Sequence, residues 1–255
     1  MKTFDWTLTI KVNLLLLKVV GLWPNGDETY KCNLYTLYAI ISGMLFTIGH
    51  NLLQTINLFF LLDYFLYDNL EAVTAIIFIS LTQLICILKS FCVIQNMGVL
   101  KQLMVTVNSD IFQPKNVKQK ELIQPNLKFW KNMFRALWTY ACCTLFLWAV
   151  FPIIDNSVKE FRLPFLVWYP YNTKISPLYE ITYIYQIMSC YFTCIINVSV
   201  DALIAALNMY IAAQCDILCD DLRNIDNYSS LTSDSNVTKW KNCIIHHKEI
   251  LRQVN

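Results

Sequence analysis

Charge is what this sequence has least of: Asp, Glu, Lys and Arg make up 15% of its 255 residues, against roughly 25% in an ordinary soluble domain. A water-facing protein of this size needs more polar surface than that, so much of its 56% apolar content must be covered by something other than water. Glycine is scarce, with 5 residues, and histidine scarcer, with 3. No GxSxG, P-loop, dinucleotide fingerprint or HExxH occurs, and His246-His247 followed by Glu249 lacks the i,i+4 His pair of a zinc helix; the enzymes that depend on those motifs are excluded. No basic stripe forms, because Lys and Arg are scattered along the flanks of apolar runs, so nothing supports nucleic-acid binding.

What the sequence does have is long uncharged runs, at 34–62, 72–88, 136–154 and 181–200. A bilayer core of about 30 Å takes about 20 helical residues. Each run reaches that range and none alternates polar with apolar residues, which predicts helices and not outer-membrane strands. The expected fold is all-α: a polytopic membrane helical bundle with spans at about 34–62, 72–96, 133–154 and 177–202. Of the 20 Lys and Arg, 17 fall in the N-terminal segment, the middle connection with its edges and the C-terminal segment, and 3 in 155–176. The positive-inside bias then places the N-terminus in the cytoplasm and the 63–71 and 155–176 connections outside.

Ten cysteines are present, none in either outside connection, so they read as small soft hydrophobes or reduced thiols and not as extracellular staples. The pairs Cys190/Cys194 and Cys215/Cys219 lack the further ligands a metal needs. No metal or cofactor is expected.

Residues 1–33 predict a partly amphipathic helix lying at the cytoplasmic interface and ended by Trp23-Pro24; Lys18 and Asp5 argue against a cleaved signal peptide. His50, Gln54 and Asn57 share one helical face of the first span, as interhelical glue or a ligand contact. The middle connection, broken by Pro114 and Pro125, reads as a cytoplasmic connector. A fourth helix from Pro177 to Asn224 is more than twice as long as the hydrocarbon is thick, so it must extend into the cytoplasm, with Asp201 near the inner boundary. Leu203, Leu207, Ile211, Leu218 and Leu222 form its packing stripe, and Asp216, Asp220, Asp221 and Arg223 occupy other faces. The tract 226–238, with glycosylation-like Asn227 and Asn236, reads as a flexible loop, followed by an amphipathic helix with Trp240, Ile244, Ile245 and Leu251 as its apolar side. The expected organisation is 1–33 interfacial helix, 34–213 membrane bundle, 214–255 cytoplasmic helix, loop and start of a further helix.

In order along the chain, "LKVVGLWP" (17–24), "LWAVFPII" (147–154), "LPFLVWYPYNTKISPLYEITYIYQ" (163–186), "VDALIAALNMYIAAQCDILCDDL" (200–222) and "CIIHHKEIL" (243–251) resemble the insect odorant receptor family. The resemblance implies a seven-span ligand-binding subunit that assembles with a common odorant receptor coreceptor into a hetero-tetrameric, odorant-gated cation channel in the plasma membrane of olfactory sensory neurons. Four of the seven spans would be present, and without the pore-lining seventh the chain alone would not conduct. It also implies an odorant pocket in the outer half of the bundle. The residues that fall there are Thr74, Ile77, Phe78 and Leu81 on the second span, Ala141, Thr144 and Trp148 on the third, and Tyr185, Met188 and Phe192 on the fourth, with Trp168, Tyr169 and Tyr171 at the rim. Such walls suit small volatile organic ligands. A gustatory receptor of the same architecture, or a stand-alone four-span scaffold or lipid-handling enzyme, are the alternatives.

Overall fold

The computed structural model describes residues 4–26, 30–65, 70–165, 167–225 and 233–254. Among them the chain is helical and strand-free: α1 Thr7–Val19, α2 Leu34–Ser42, a π-helical turn Gly43–Gly49, α3 His50–Phe65, α4 Leu70–Gln95, α5 Met97–Val107, α6 Val117–Ile154, α7 Leu178–Arg223 and α8 Ser233–Val254. Four helical stretches are long and apolar enough to cross a membrane: Leu34–Phe60, Ile76–Gln95, Val117–Ile154 and Leu178–Arg223. Large side chains on them, among them Phe59, Phe78, Phe146 and Phe151, stand exposed, the inverse of a soluble fold and the pattern lipid requires. This is a multi-pass, all-helical membrane protein.

Contacts divide the chain into two units, one of Met1–Asn13, Gly98–Arg135 and Asp201–Asn255, the other of Leu14–Met97 and Ala136–Val200. In the first unit Trp6 is fully buried; its ring meets Tyr210 edge-on at 5.5 Å, the Tyr210 hydroxyl donates to its carbonyl at 2.9 Å and its amide donates to Asn108 at 3.0 Å. Phe112, Leu218, Ile225, Cys243 and Ile250 form an apolar cluster. Beside them Gln214 donates to the Phe112 carbonyl at 3.1 Å and accepts from His246 Nε2 at 3.1 Å. Burial, and then the Lys115 charge, hold the His246 imidazole below its ordinary range, against the opposite pull of Asp221.

Several elements differ from the sequence expectation. Helix α1 ends at Val19, short of Trp23-Pro24, because the chain turns at Gly21 with φ +81; a Cβ there would sit 2.7 Å from that of Ala39, so only glycine fits. The connector is not broken at Pro125: α6 runs through it. The missing N–H costs one ladder bond, but Ile123, Leu127 and Trp130 on that stretch are buried along one face, and Asn116 accepts the Gln119 amide at 2.7 Å to cap the helix. Residues 233–238, expected in a loop, are helical; 226–232, including Asn227, lie outside the described residues. On α8 the buried side is Cys243, His246 and Ile250, while Trp240, Ile244, Ile245 and Leu251 are exposed; Cys243 and Ile250 join the apolar cluster with Phe112 and Leu218, and His246 pairs with Gln214 beside it. On α7 Leu222 is exposed and Asp220 is buried, ion-paired with Lys118 at 3.1 Å and accepting from Gln119.

The second unit holds the apolar bundle. Helices α2, the π-turn and α3 form one continuous span, packed against α4. Within the π-turn the Leu45 carbonyl accepts the Tyr185 hydroxyl from α7 at 2.8 Å. His50 and Gln54 are buried and face each other at 3.5 Å; Asn57 is half-buried.

Candidate functional site

The chain between α6 and α7 carries the aromatic-rich stretch, and α7 pins it down. Gln186, fully buried, accepts the Phe165 amide at 3.0 Å and donates to the Phe165 carbonyl at 3.0 Å and to the Tyr169 hydroxyl at 3.3 Å. A glutamine amide matches a backbone amide in this two-way pairing, so one side chain satisfies both polar groups of a buried residue. Further hydroxyls fix the ends of the segment. Tyr179 donates to the Arg162 carbonyl at 2.8 Å, Tyr183 to the Ala149 carbonyl at 2.7 Å, and Tyr171 shares a 2.8 Å bond with Thr182.

Between this strap and the end of α6 lies a cleft of about 410 Å³ lined by Trp148, Phe151, Asp155, Ser157, Arg162 and Pro164 among others. Its floor is the Trp148 ring, stacked on Phe165 at 4.9 Å with 18° between planes. Its polar edge is Asp155, whose carboxyl is held below the usual range by the Ser157 hydroxyl and amide that donate to it, with Arg162 adding opposite charge. Such a space, apolar with a few fixed polar groups, suits a small organic molecule. No group of three or more His, Cys, Asp or Glu able to hold a metal forms among the described residues.

The expected pocket residues distribute as follows. Trp148 lines the cleft. Phe192 is buried and Tyr185 half-buried, and both pack on Phe46 of the π-turn, with ring centroids 4.8 and 6.2 Å away; Tyr185 also meets His50 edge-on at 5.8 Å. Met188, Ile77, Phe78 and Leu81 are exposed, as is Thr74, while Ala141 and Thr144 are half-buried; none of the seven lines the cleft. Of the rim residues, Tyr169 is buried and its hydroxyl is pushed to a raised pKa by that burial. Trp168 and Tyr171 are exposed, with Trp168 against Phe60 of α3 at 5.7 Å. Sequence reasoning passed over Phe46, Phe165 and Gln186. A glutamine within an apolar helix close to an aromatic loop was the signal for the last.

A strap held against helices long and apolar enough to cross a membrane, with a cleft beside it, is the architecture of a multi-pass membrane protein. The chain belongs to the family described as the 7tm odorant receptors, whose model matches residues 68–255. Its fold is similar to that of the insect olfactory receptor OR5 from Machilis hrabei in complex with eugenol, with a TM-score of 0.75 at 19% identity, covering 98% of this chain. A second structure of that receptor gives a TM-score of 0.74 at 17% identity, again covering 98% of this chain. The chain spans 65% of the length of those two. No curated protein matches it.

Proposed function

We propose that this chain is an odorant receptor subunit that binds small volatile ligands in the outer half of its bundle, and that it gates a cation channel together with the odorant receptor coreceptor in the plasma membrane of olfactory sensory neurons. The observation that carries the reading is the strap. Gln186 and three tyrosines hold the α6–α7 connection beside a cleft lined by Trp148, whose ring stacks on Phe165, and the family is one of odorant receptors. The walls expected from sequence, from Thr74 to Phe192, complete this proposal, with Trp168, Tyr169 and Tyr171 at the entrance and the N-terminus in the cytoplasm.

Apolar contact supplies affinity at about 25 cal/mol per Å², so a ligand gaining or losing about 50 Å² against the site changes its affinity about tenfold. The ligand opens the pore to the extent that it binds the open state better than the closed one. The test is expression of the full-length receptor with the coreceptor and recording of currents to an odorant panel. Trp148→Ala and Met188→Ala are expected to reorder the ranking of odorants by potency. An unchanged ranking in either variant removes that residue from the pocket, and the absence of odorant currents from the unaltered complex overturns the reading.

A further inference from the structure

The polar edge of the cleft at Trp148 fits one kind of ligand head group. Asp155 directly follows α6, which ends at Ile154. A negative charge there stands against the negative end of the helix dipole, and α6 has no basic residue in its last turn to answer it. The carboxylate is held from the other side. The Ser157 hydroxyl donates to Asp155 Oδ1 at 2.6 Å, and the Ser157 amide donates to the same oxygen at 3.0 Å. Both bonds end on Oδ1, which leaves Oδ2 for whatever fills the cleft. These donors, with Arg162 adding opposite charge, hold the carboxyl below the usual range, so at neutral pH Asp155 only accepts.

Arg162 lines the same cleft, and its guanidinium only donates. Pro152 and Pro164 in the lining bring no N–H, and Trp148 and Phe151 give the apolar wall. A ketone or ester head answers the donors but leaves the Asp155 carboxylate, stripped of water, facing another oxygen, and an ionised acceptor without a donor is costly. A protonated amine answers Asp155 but brings its own positive charge beside Arg162. A hydroxyl both donates and accepts, so it answers Asp155 and Arg162 together.

Resting on the proposal that this cleft is the ligand site, we infer that it selects alcohols and phenols over ketones, aldehydes and esters of the same skeleton, and that Asp155 is the residue that sets the preference. The ligand hydroxyl donates to Asp155 Oδ2 and accepts from Arg162, while the hydrocarbon lies on Trp148 and Phe151. The Asp155–Ser157 pairing also shapes the turn after α6. Asp155→Asn separates the two roles, because the amide oxygen keeps both Ser157 bonds and the amide nitrogen turns a donor to the cleft.

The test uses the full chain in nanodiscs and fluorine NMR of para-fluorobenzyl alcohol, with the broadening given by empty nanodiscs subtracted. Menthol and menthone, which share a skeleton and differ in the hydroxyl, compete at matched free concentrations in water. Menthol is expected to displace the probe about 5-fold better than menthone, the value of one hydrogen bond to an exposed charged group. Asp155→Asn is expected to reverse that order, whereas loss of the turn alone weakens both competitors and keeps it. Ser157→Ala, which retains the charge and unpins it, is expected to shrink menthol's advantage, and Trp148→Ala to weaken both competitors alike. Equal displacement in the unaltered chain overturns the inference. So does an advantage of menthol that survives in Asp155→Asn, or a probe that the unaltered chain does not broaden. Binding is read here without gating, so these outcomes are distinct from the absence of odorant currents that overturns the receptor reading.

Discussion

Replacing Gln186 with leucine removes three hydrogen bonds at once, and the structure says what that does. The Phe165 amide and carbonyl and the Tyr169 hydroxyl all lose their partner, and Phe165 is only 8% exposed, so water does not replace it while the strap stays closed. Each backbone group left unpaired costs about 1–3 kcal/mol. The strap lies near the surface and opens instead of enduring the full penalty, so the lower end applies: about 2 kcal/mol, or about 30-fold in the opening equilibrium. Hydrogen exchange of the Phe165 amide in the purified chain reads this directly, as exchange about 30-fold faster. Gln186→Glu retains the acceptor for the amide and loses the donor to the carbonyl, so it falls between. Because Phe165 stacks on Trp148, the leucine variant also loosens the Trp148 wall of the cleft and, under the proposed function, is expected to weaken odorant responses. Phe165 exchange unchanged in Gln186→Leu refutes the strap, and with it the observation on which the ligand site rests.

The remaining predictions concern pH and the N-terminal turn. Burial lowers the His246 pKa below its ordinary 6.5, so the undocked chain takes up the proton first. Docking of α8 is at full strength above pH 6.5 and weakens as pH falls through the lowered value; faster exchange of α8 amides at pH 5.5 than at pH 7.5, as corrected for intrinsic rates, is expected, and equal protection at both contradicts it. Gly21→Ala is expected to lower the Tm more than Gly26→Ala. Both positions have positive φ, but only at Gly21 does the new methyl strike Ala39, at 2.7 Å; the left-handed strain alone is worth about 1–2 kcal/mol, and equal shifts in the two variants rule out the contact as the cause.

The spans were legible because hydropathy over twenty residues is a property of the sequence itself. The four uncharged runs became parts of the four spanning helices. What was hidden depended on partners distant in sequence. Pro125 reads as a breaker until the buried faces of Ile123, Leu127 and Trp130 hold the helix through it. The apolar residues of α8 pointed to one face, and the cluster that Cys243 and Ile250 join, with the His246–Gln214 contact beside it, buries another. From the sequence Trp148 stands with Ala141 and Thr144 on one face of the third span, and of the three it is the one that lines the cleft. Phe165 and Gln186, which position it, come together only because the chain doubles back 21 residues, a closure that no local pattern announces.

The π-turn at Gly43–Gly49 also sets an azimuth. In an α-helix each residue advances about 100° around the axis and in a π-turn less, so winding these residues as α-helix, with none removed, would swing everything after them forward. His50 and Gln54, now buried, would be carried toward lipid, and apolar neighbours would take their place. The widened turn thus works like a single extra tooth on a gear, keeping the two halves of one span in different phase so that each presents its own face to the bundle.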